Sequence, residues 1–269
     1  RPAMSVLDRF RLDGKRLFIT GGSRGLGREM SLACAEAGAD VVLVGRNTDS
    51  PETTAADIRE RGQQAVTITA DVGQLDQCES ACQTALQEHG PIDILINNVG
   101  AARGGDVLVL PTEQIDEAMG LKTYSYLRMA QLVIPYMQEN QWGRIVNIAG
   151  GAGSSPDRKN IPTSLANVAI LNMTRALSDA VAGDGILVNA ICPGLTNTQR
   201  ARDLQQARAE KEGRDPEQIL QEFGSNLPAG RIAEPEEIAD VVAFLASAPC
   251  SYMHGSSLYM DGGERRGTP

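Results

Sequence analysis

The 269-residue chain predicts a single α/β domain, a doubly wound parallel sheet of about seven strands with helices on both faces. Three observations carry that expectation. Short apolar runs alternate with amphipathic helical periods along the whole chain. Most of the runs are unbroken Val/Ile/Leu stretches, which suits strands covered on both faces. The first run opens directly into a glycine-rich turn and then a helix.

In order, the strands are expected at 16–20, 40–44, 65–70, 92–97, 143–148, 186–191 and 257–260. Helices are expected between them at 27–37, 55–61, 74–89, 113–138, 164–182 and 235–246. One segment breaks the rhythm: residues 199–230 are highly charged and interrupt the last strand–helix unit. Connections of that length are usually functional. Its helical stretches at 203–211 and 216–223 suggest a substrate lid, a solvated insertion being the alternative. No repeat or linker divides the chain, so residues 4–269 read as one domain, with Arg1-Pro2-Ala3 ahead of Met4 read as an appended leader.

Apolar residues make up 42% and charged residues 22%, the balance of an ordinary globule. A net charge of −9 argues against nucleic acid or an anionic membrane as partner. No apolar stretch approaches the ~20 residues of a membrane span. The N-terminus lacks the apolar region of a signal peptide, so a cytoplasmic location is expected. Five cysteines, odd in number and set in apolar or helical stretches, read as buried free thiols. With only two histidines, no metal site is expected.

The glycine-rich turn reads Thr20-Gly21-Gly22-Ser23-Arg24-Gly25-Leu26-Gly27. Glycines at 21, 25 and 27 let the backbone turn tightly and approach a pyrophosphate, whose charge the helix N-terminus stabilises. This is a dinucleotide site in the expected context. The second strand ends Val44-Gly45-Arg46, where an acid would bind the ribose hydroxyls of NAD. Gly45 takes the acid's place, and Arg46 and Arg24 supply two cations for a 2′-phosphate, which favours NADP(H) over NAD(H). Solvated surface arginines are the alternative.

Further motifs follow: Asp71-Val72, Asn97-Asn98-Val99-Gly100, Arg144-Ile145-Val146-Asn147, Pro193-Gly194 with Thr198, Gly230-Arg231 before Glu234-Pro235-Glu236-Glu237, and Asp261-Gly262-Gly263. In this order and spacing the chain resembles the short-chain dehydrogenase/reductase family over essentially its whole length. The resemblance implies a Rossmann-like fold and a nicotinamide cofactor. It implies that Asp71 and Val72 hold the adenine and that Asn98 to Gly100 pass beside the ribose. Ile191 to Thr198, with Pro193 and Gly194, would cradle the nicotinamide and diphosphate.

The family runs hydride transfer with a serine, a tyrosine and lysine spaced YxxxK, and a helical asparagine. Registered on Asn147-Ile148 and on Ile115-Asp116, those positions here hold Gly150, Thr163, Asn167 and Lys122. A threonine hydroxyl has far too high a pKa to exchange protons near neutrality, so the usual ketone chemistry should be crippled. Lys122 and Tyr126, one turn apart, offer a substitute lysine–tyrosine pair from the opposite wall. A structural role for Lys122 and interface packing for Tyr126 are the alternative. Ser154, Ser155, Asp157 and Lys159 lie on a nearby loop, where turn formation competes with catalysis, and Ser164 reads as a helix cap.

Three functions remain in play. The first is an NADP(H)-dependent oxidoreductase with altered chemistry, acting on small molecules such as iminium ions or activated alkenes, with Arg200, Arg202 or Arg208 recognising substrate. The second is a catalytically silent NADP-binding partner, and the third a non-redox lyase or isomerase. The family pairs its long helices into homodimers or homotetramers, a role that Leu127, Met129, Leu171 and Met173 would suit; core packing explains them equally well.

Overall fold

The computed structural model describes residues 5–47, 49–100 and 103–267, so residues 1–3, read above as an appended segment, lie outside the described residues. Seven strands form one sheet: β1 Arg16–Thr20, β2 Asp40–Gly45, β3 Ala65–Thr69, β4 Ile94–Asn97, β5 Gly143–Ile148, β6 Ile186–Pro193 and β7 Ser257–Met260. Their order is β3-β2-β1-β4-β5-β6-β7, and every neighbouring pair is parallel. The chain winds outward from β1 to β3, then returns to the other side of β1 with β4. That reversal opens a crevice at the C-terminal ends of β1 and β4, where ligands bind in such sheets.

Alternate residues of each strand enter opposite layers. Leu17, Ile19, Val41 and Leu43 pack under α1 (Gly25–Glu36), α2 (Asp49–Glu60) and α9 (Pro235–Ala246). Phe18, Val42, Val44 and Leu95 pack under α3 (Leu75–His89), α5 (Ser125–Glu139) and the end of α6 (Ile161–Val181). Each such side chain contributes about 1.5–3 kcal/mol by leaving water. This two-sided burial is why the strands read as continuous apolar runs.

The boundaries differ from expectation at several ends. β4 starts at Ile94, and the preceding Asp93 holds the Arg16 N–H (3.0 Å) and the Lys15 ammonium (3.1 Å) with its carboxylate. β6 runs on to Pro193 because β7 pairs Pro193 with Met260. The long helix expected at 113–138 is three pieces: α4 (Thr112–Ala118), a π-helical segment (Met119–Tyr124) and α5. α6 begins at Ile161 with Pro162 in its first turn, a position that needs no N–H. Ser164 is therefore inside the helix, and its hydroxyl donates to the Asn160 carbonyl at 3.1 Å rather than capping.

The 199–230 segment is ordered as α7 (Gln199–Glu212) and α8 (Pro216–Ser225). All five cysteines are free and buried. Met129 is wholly buried in the layer under α5, so it packs the core and lines no interface, whereas Leu127, Leu171 and Met173 are half-buried. No helix of the described residues is long and apolar enough to cross a membrane, and among them no group of three His, Cys, Asp or Glu side chains suits a metal ion.

Candidate active site

The glycine-rich turn leaves β1 with its carbonyls turned inward. Asn98 Nδ2 donates to Thr20 O (3.3 Å) and Gly21 O (3.1 Å), and Thr20 Oγ1 accepts the Asn98 N–H at 3.0 Å. A Cβ on Gly27 would stand 2.0 Å from the Gly21 carbonyl oxygen, so the first turn of α1 presses on the loop with no room for a side chain. Gly21 and Gly25 hold positive φ of 68° and 52°. The result is a cradle that only backbone lines, at the N-terminus of α1. It fits a pyrophosphate. Ser23 and Leu26 flank it, both half-buried.

Arg24 and Arg46 stand exposed on the β1 and β2 sides of this cradle. Among the described residues neither side chain makes an ion pair or hydrogen bond. Asp71 folds back on its own turn, accepting the Gly73 N–H at 3.0 Å. The Val72 side chain is core, and its carbonyl accepts the Cys78 thiol at 3.1 Å, so only its N–H is left to face a ligand. Across the crevice, Gly194 crosses β7 so closely that a Cβ there would meet the Asp261 Cα at 2.8 Å. Thr198 caps α7 by accepting the Ala201 N–H at 3.2 Å, and its methyl lies 3.8 Å from the Cβ position of Gly25. Glycine turn, Asn98, Gly100, Pro193–Gly194 and Thr198 therefore converge on one crevice.

Lys122 lies at the floor of that crevice. Its stem runs across Gly100, whose Cβ position is 3.1 Å from the lysine Cδ. The ammonium donates to the Ala149 carbonyl, at the end of β5, and to Asn167 Oδ1 on α6. The π-helical segment aims it there, held by the Thr123 hydroxyl on the Ala166 carbonyl (3.1 Å). Burial pulls the ammonium down to about 8, opposed by the Cys192 thiol and reinforced by Arg200. An amine in that range can hold or release a proton near neutrality.

Gly150 and Asn167 interlock. Gly150 has φ 126°, and a Cβ there would meet Asn167 Nδ2 at 2.9 Å. Thr163, one turn before Asn167 on the same face, is half-buried, and its hydroxyl makes no hydrogen bond among the described residues. Three of the four positions singled out from the sequence, Gly150, Asn167 and Lys122, meet at one place, with Thr163 one turn before Asn167 on α6.

Tyr126 does not join them as a reactive group. Its ring is 1% exposed among Ala149, Ile170 and Cys192, and its hydroxyl donates to the Ile148 carbonyl at 3.1 Å. Burial pushes the phenol well above its ordinary range. Lys122 and Tyr126 thus reach adjacent carbonyls, Ala149 just past β5 and Ile148 at its end, one in the crevice and one sealed beneath it. Tyr126→Phe should cost about 1 kcal/mol of stability in a urea titration and leave turnover unchanged; a large rate loss would restore the phenol to the chemistry.

The loop serines and acid turn out to shape the loop. Ser154 donates to the Gly151 carbonyl at 3.2 Å, and Asp157 accepts the Lys159 N–H at 2.6 Å. Of the α7 arginines, Arg202 is spent on Asn197 (2.6 Å) and Glu217 (3.2 Å), Arg200 is exposed, and the Arg208 side chain lies outside the described residues. Cys192, expected as a buried free thiol, is buried and faces the Gly150 N–H and the Tyr259 hydroxyl.

A family model described as enoyl-(acyl carrier protein) reductase matches residues 21–264. The chain belongs to the short-chain dehydrogenase/reductase family. Oxidoreductase UcpA of Salmonella typhimurium is 34% identical over 254 residues, 94% of this chain and 95% of that protein. L-sorbose reductase from Gluconobacter frateurii, solved with NADPH and L-sorbose, superposes with a TM-score of 0.93 at 27% identity, covering 97% of this chain and 100% of that one. NAD⁺-bound xylitol dehydrogenase superposes at 0.87 with 26% identity over 93% of this chain and 99% of that one. This short-chain dehydrogenase/reductase is thus an oxidoreductase by family, and its relatives divide between the two nicotinamide cofactors.

Proposed function

We propose that the protein is an NADP(H)-dependent oxidoreductase of small molecules in which Lys122 takes over the proton chemistry. The observation that carries the reading is the Lys122 ammonium, held on the Ala149 carbonyl and Asn167 Oδ1 at the floor of the crevice. Gly21 to Gly27, Asn98, Gly100, Asp71, the Val72 N–H, Pro193, Gly194 and Thr198 would hold the dinucleotide. When bound, the nicotinamide supplies or accepts the hydride. With a conjugated carbonyl compound, Lys122 supplies the proton that the resulting enolate takes up, and the Thr163 hydroxyl donates a hydrogen bond to the substrate oxygen; an iminium ion accepts the hydride without a proton. Gly150, with no side chain, leaves the substrate side of Asn167 open.

Carbonyl compounds conjugated to an alkene, and iminium ions, are the substrates of choice, because neither requires a strong acid to protonate an alkoxide. The model described as enoyl reductase supports the first of these. α7 and α8 act as the lid, and the exposed apolar side chains on α5 and α6, such as Tyr136, Leu165 and Val168, support a homodimer or homotetramer. A silent NADP-binding role is the second reading, favoured by the burial of Tyr126.

Titration of the protein with NADPH and NADH tests the proposal, followed by a screen of enones, imines and ketones. NADPH-selective binding with turnover supports it; binding without turnover selects the silent role, and no binding ends both. Arg46→Ala should weaken NADPH binding about 10–100-fold, the worth of a charge-assisted phosphate contact, and leave NADH unchanged. Equal losses for both would remove Arg46 from the 2′-phosphate site.

A further inference from the structure

The turn that follows β3, Asp71 to Gly73, is held from two helices. The Asp71 N–H donates to Gln77 Oε1 at 2.7 Å, and the Asp71 carbonyl accepts the Gln74 N–H at 2.9 Å. The Val72 carbonyl accepts the Cys78 thiol, and the Gly73 N–H donates to Asp71 Oδ1. The Gly73 carbonyl accepts Arg128 Nη1 from α5 at 3.1 Å. Among the described residues the Val72 N–H is the one main-chain polar group of this turn without a partner, and Asp71 Oδ2 is unpaired as well. Five held groups thus leave one donor and one acceptor for a ligand.

Arg128 is the one basic residue of α5, is half-buried, and makes its one hydrogen bond among the described residues with this turn. Arg16 and Arg144 are also held on carbonyls, but at the starts of β1 and β5, the sheet edge opposite the crevice. A charged donor makes a stronger hydrogen bond than a neutral one, so the Gly73 end is firmly latched. Leu121 backs it, with its Cδ1 3.6 Å from the Cβ position of Gly73. Adenine presents the complement of the two free groups, a ring nitrogen that accepts and an amine that donates. Hypoxanthine reverses both, with a ring N–H and a carbonyl. We propose that Arg128 and Gln77 are positioning residues that hold the 71–73 turn in the conformation that selects adenine. This rests on the dinucleotide reading above and names what fixes its choice of base.

The test is calorimetric titration of the whole protein with NADPH and with its hypoxanthine analogue, in which oxygen replaces the adenine amine. The wild type should prefer NADPH about 10–100-fold, because the analogue sets a donor against the Val72 N–H. Arg128→Met keeps an unbranched stem and removes the donor. It should weaken NADPH about tenfold, the size of an ordinary linkage between two sites, and the analogue by less than about twofold. The preference for adenine then narrows to a few-fold. Gln77 is exposed near the start of α3, so Gln77→Met should leave the unfolding midpoint unchanged and narrow the preference in the same direction. If Arg128→Met does not fold, Gln77→Met carries the test.

Equal weakening of both nucleotides overturns the proposal, since a loosened fold or pyrophosphate cradle would move them alike. A preference that survives both substitutions also overturns it. A wild type that binds the two nucleotides equally well takes the base away from this turn and ends the proposal, while the cofactor reading stands. A wild type that binds neither nucleotide ends the cofactor reading and this proposal with it.

Discussion

Lys122→Met should lower turnover by about 10²–10⁴-fold, the usual worth of a positioned acid–base group with its field, and change NADPH affinity only a few-fold. The size follows from position. The ammonium sits where the loops after β4 and β5 meet α6, and no other group near neutrality stands beside it: Thr163 is an alcohol and Tyr126 is sealed. The pH profile carries the same signature. Reduction draws a proton from the ammonium, so its rate should fall as pH rises through about 8. Oxidation needs the neutral amine and should rise across the same point. Lys122→Arg keeps the charge, and its profile should be flat there. An unchanged rate in Lys122→Met would end the assignment.

Stability gives an independent readout. The folded pKa of Lys122 lies below the ordinary 10.5, so between about 8 and 10.5 the unfolded chain holds more protons than the native one. Native stability therefore rises with pH through that window. Below it, the charge opposes folding by up to about 3 kcal/mol. Urea midpoints between pH 7 and 10 should climb in the wild type and lose that climb in Lys122→Met.

Gly27→Ala should abolish nucleotide binding, lowering affinity more than about 100-fold, and destabilise the protein by about 3 kcal/mol or more. A methyl at 27 would lie 2.0 Å from the Gly21 carbonyl oxygen and 2.7 Å from Asn98 Nδ2. The oxygen is backbone and already accepts from Asn98, so neither partner can retreat without opening the loop. Gly183→Ala is the control: nothing lies within 4 Å of its Cβ position, so it should be neutral or slightly stabilising. Thermal unfolding and NADPH titration check both, and similar behaviour of the two variants would show that the loop tolerates a side chain.

The sheet and the glycine cradle were legible because local rules decide them. Val41 to Val44 or Ile94 to Ile96 can only be strands buried on both faces, and a strand running into Gly21–Gly27 has one plausible use. Depth was not legible. Lys122 and Tyr126 are correctly placed on one side by their spacing, but whether each ends in the crevice or beneath Ala149 depends on α6 and β6, distant in sequence. Met129 misled for the same reason. The π-helical segment at Met119–Tyr124 carries no residue signal, since it is set by packing against α6.

The contact of Gly150 with Asn167 also governs how this site can change. A side chain at 150 needs the amide at 167 to leave, the amide holds the lysine at 122, and a lysine at 167 would face the one already there. These positions are epistatic. Single replacements toward the family's usual residues each meet a clash or a repulsion that the full set would relieve, so redesign of this crevice has to move them together.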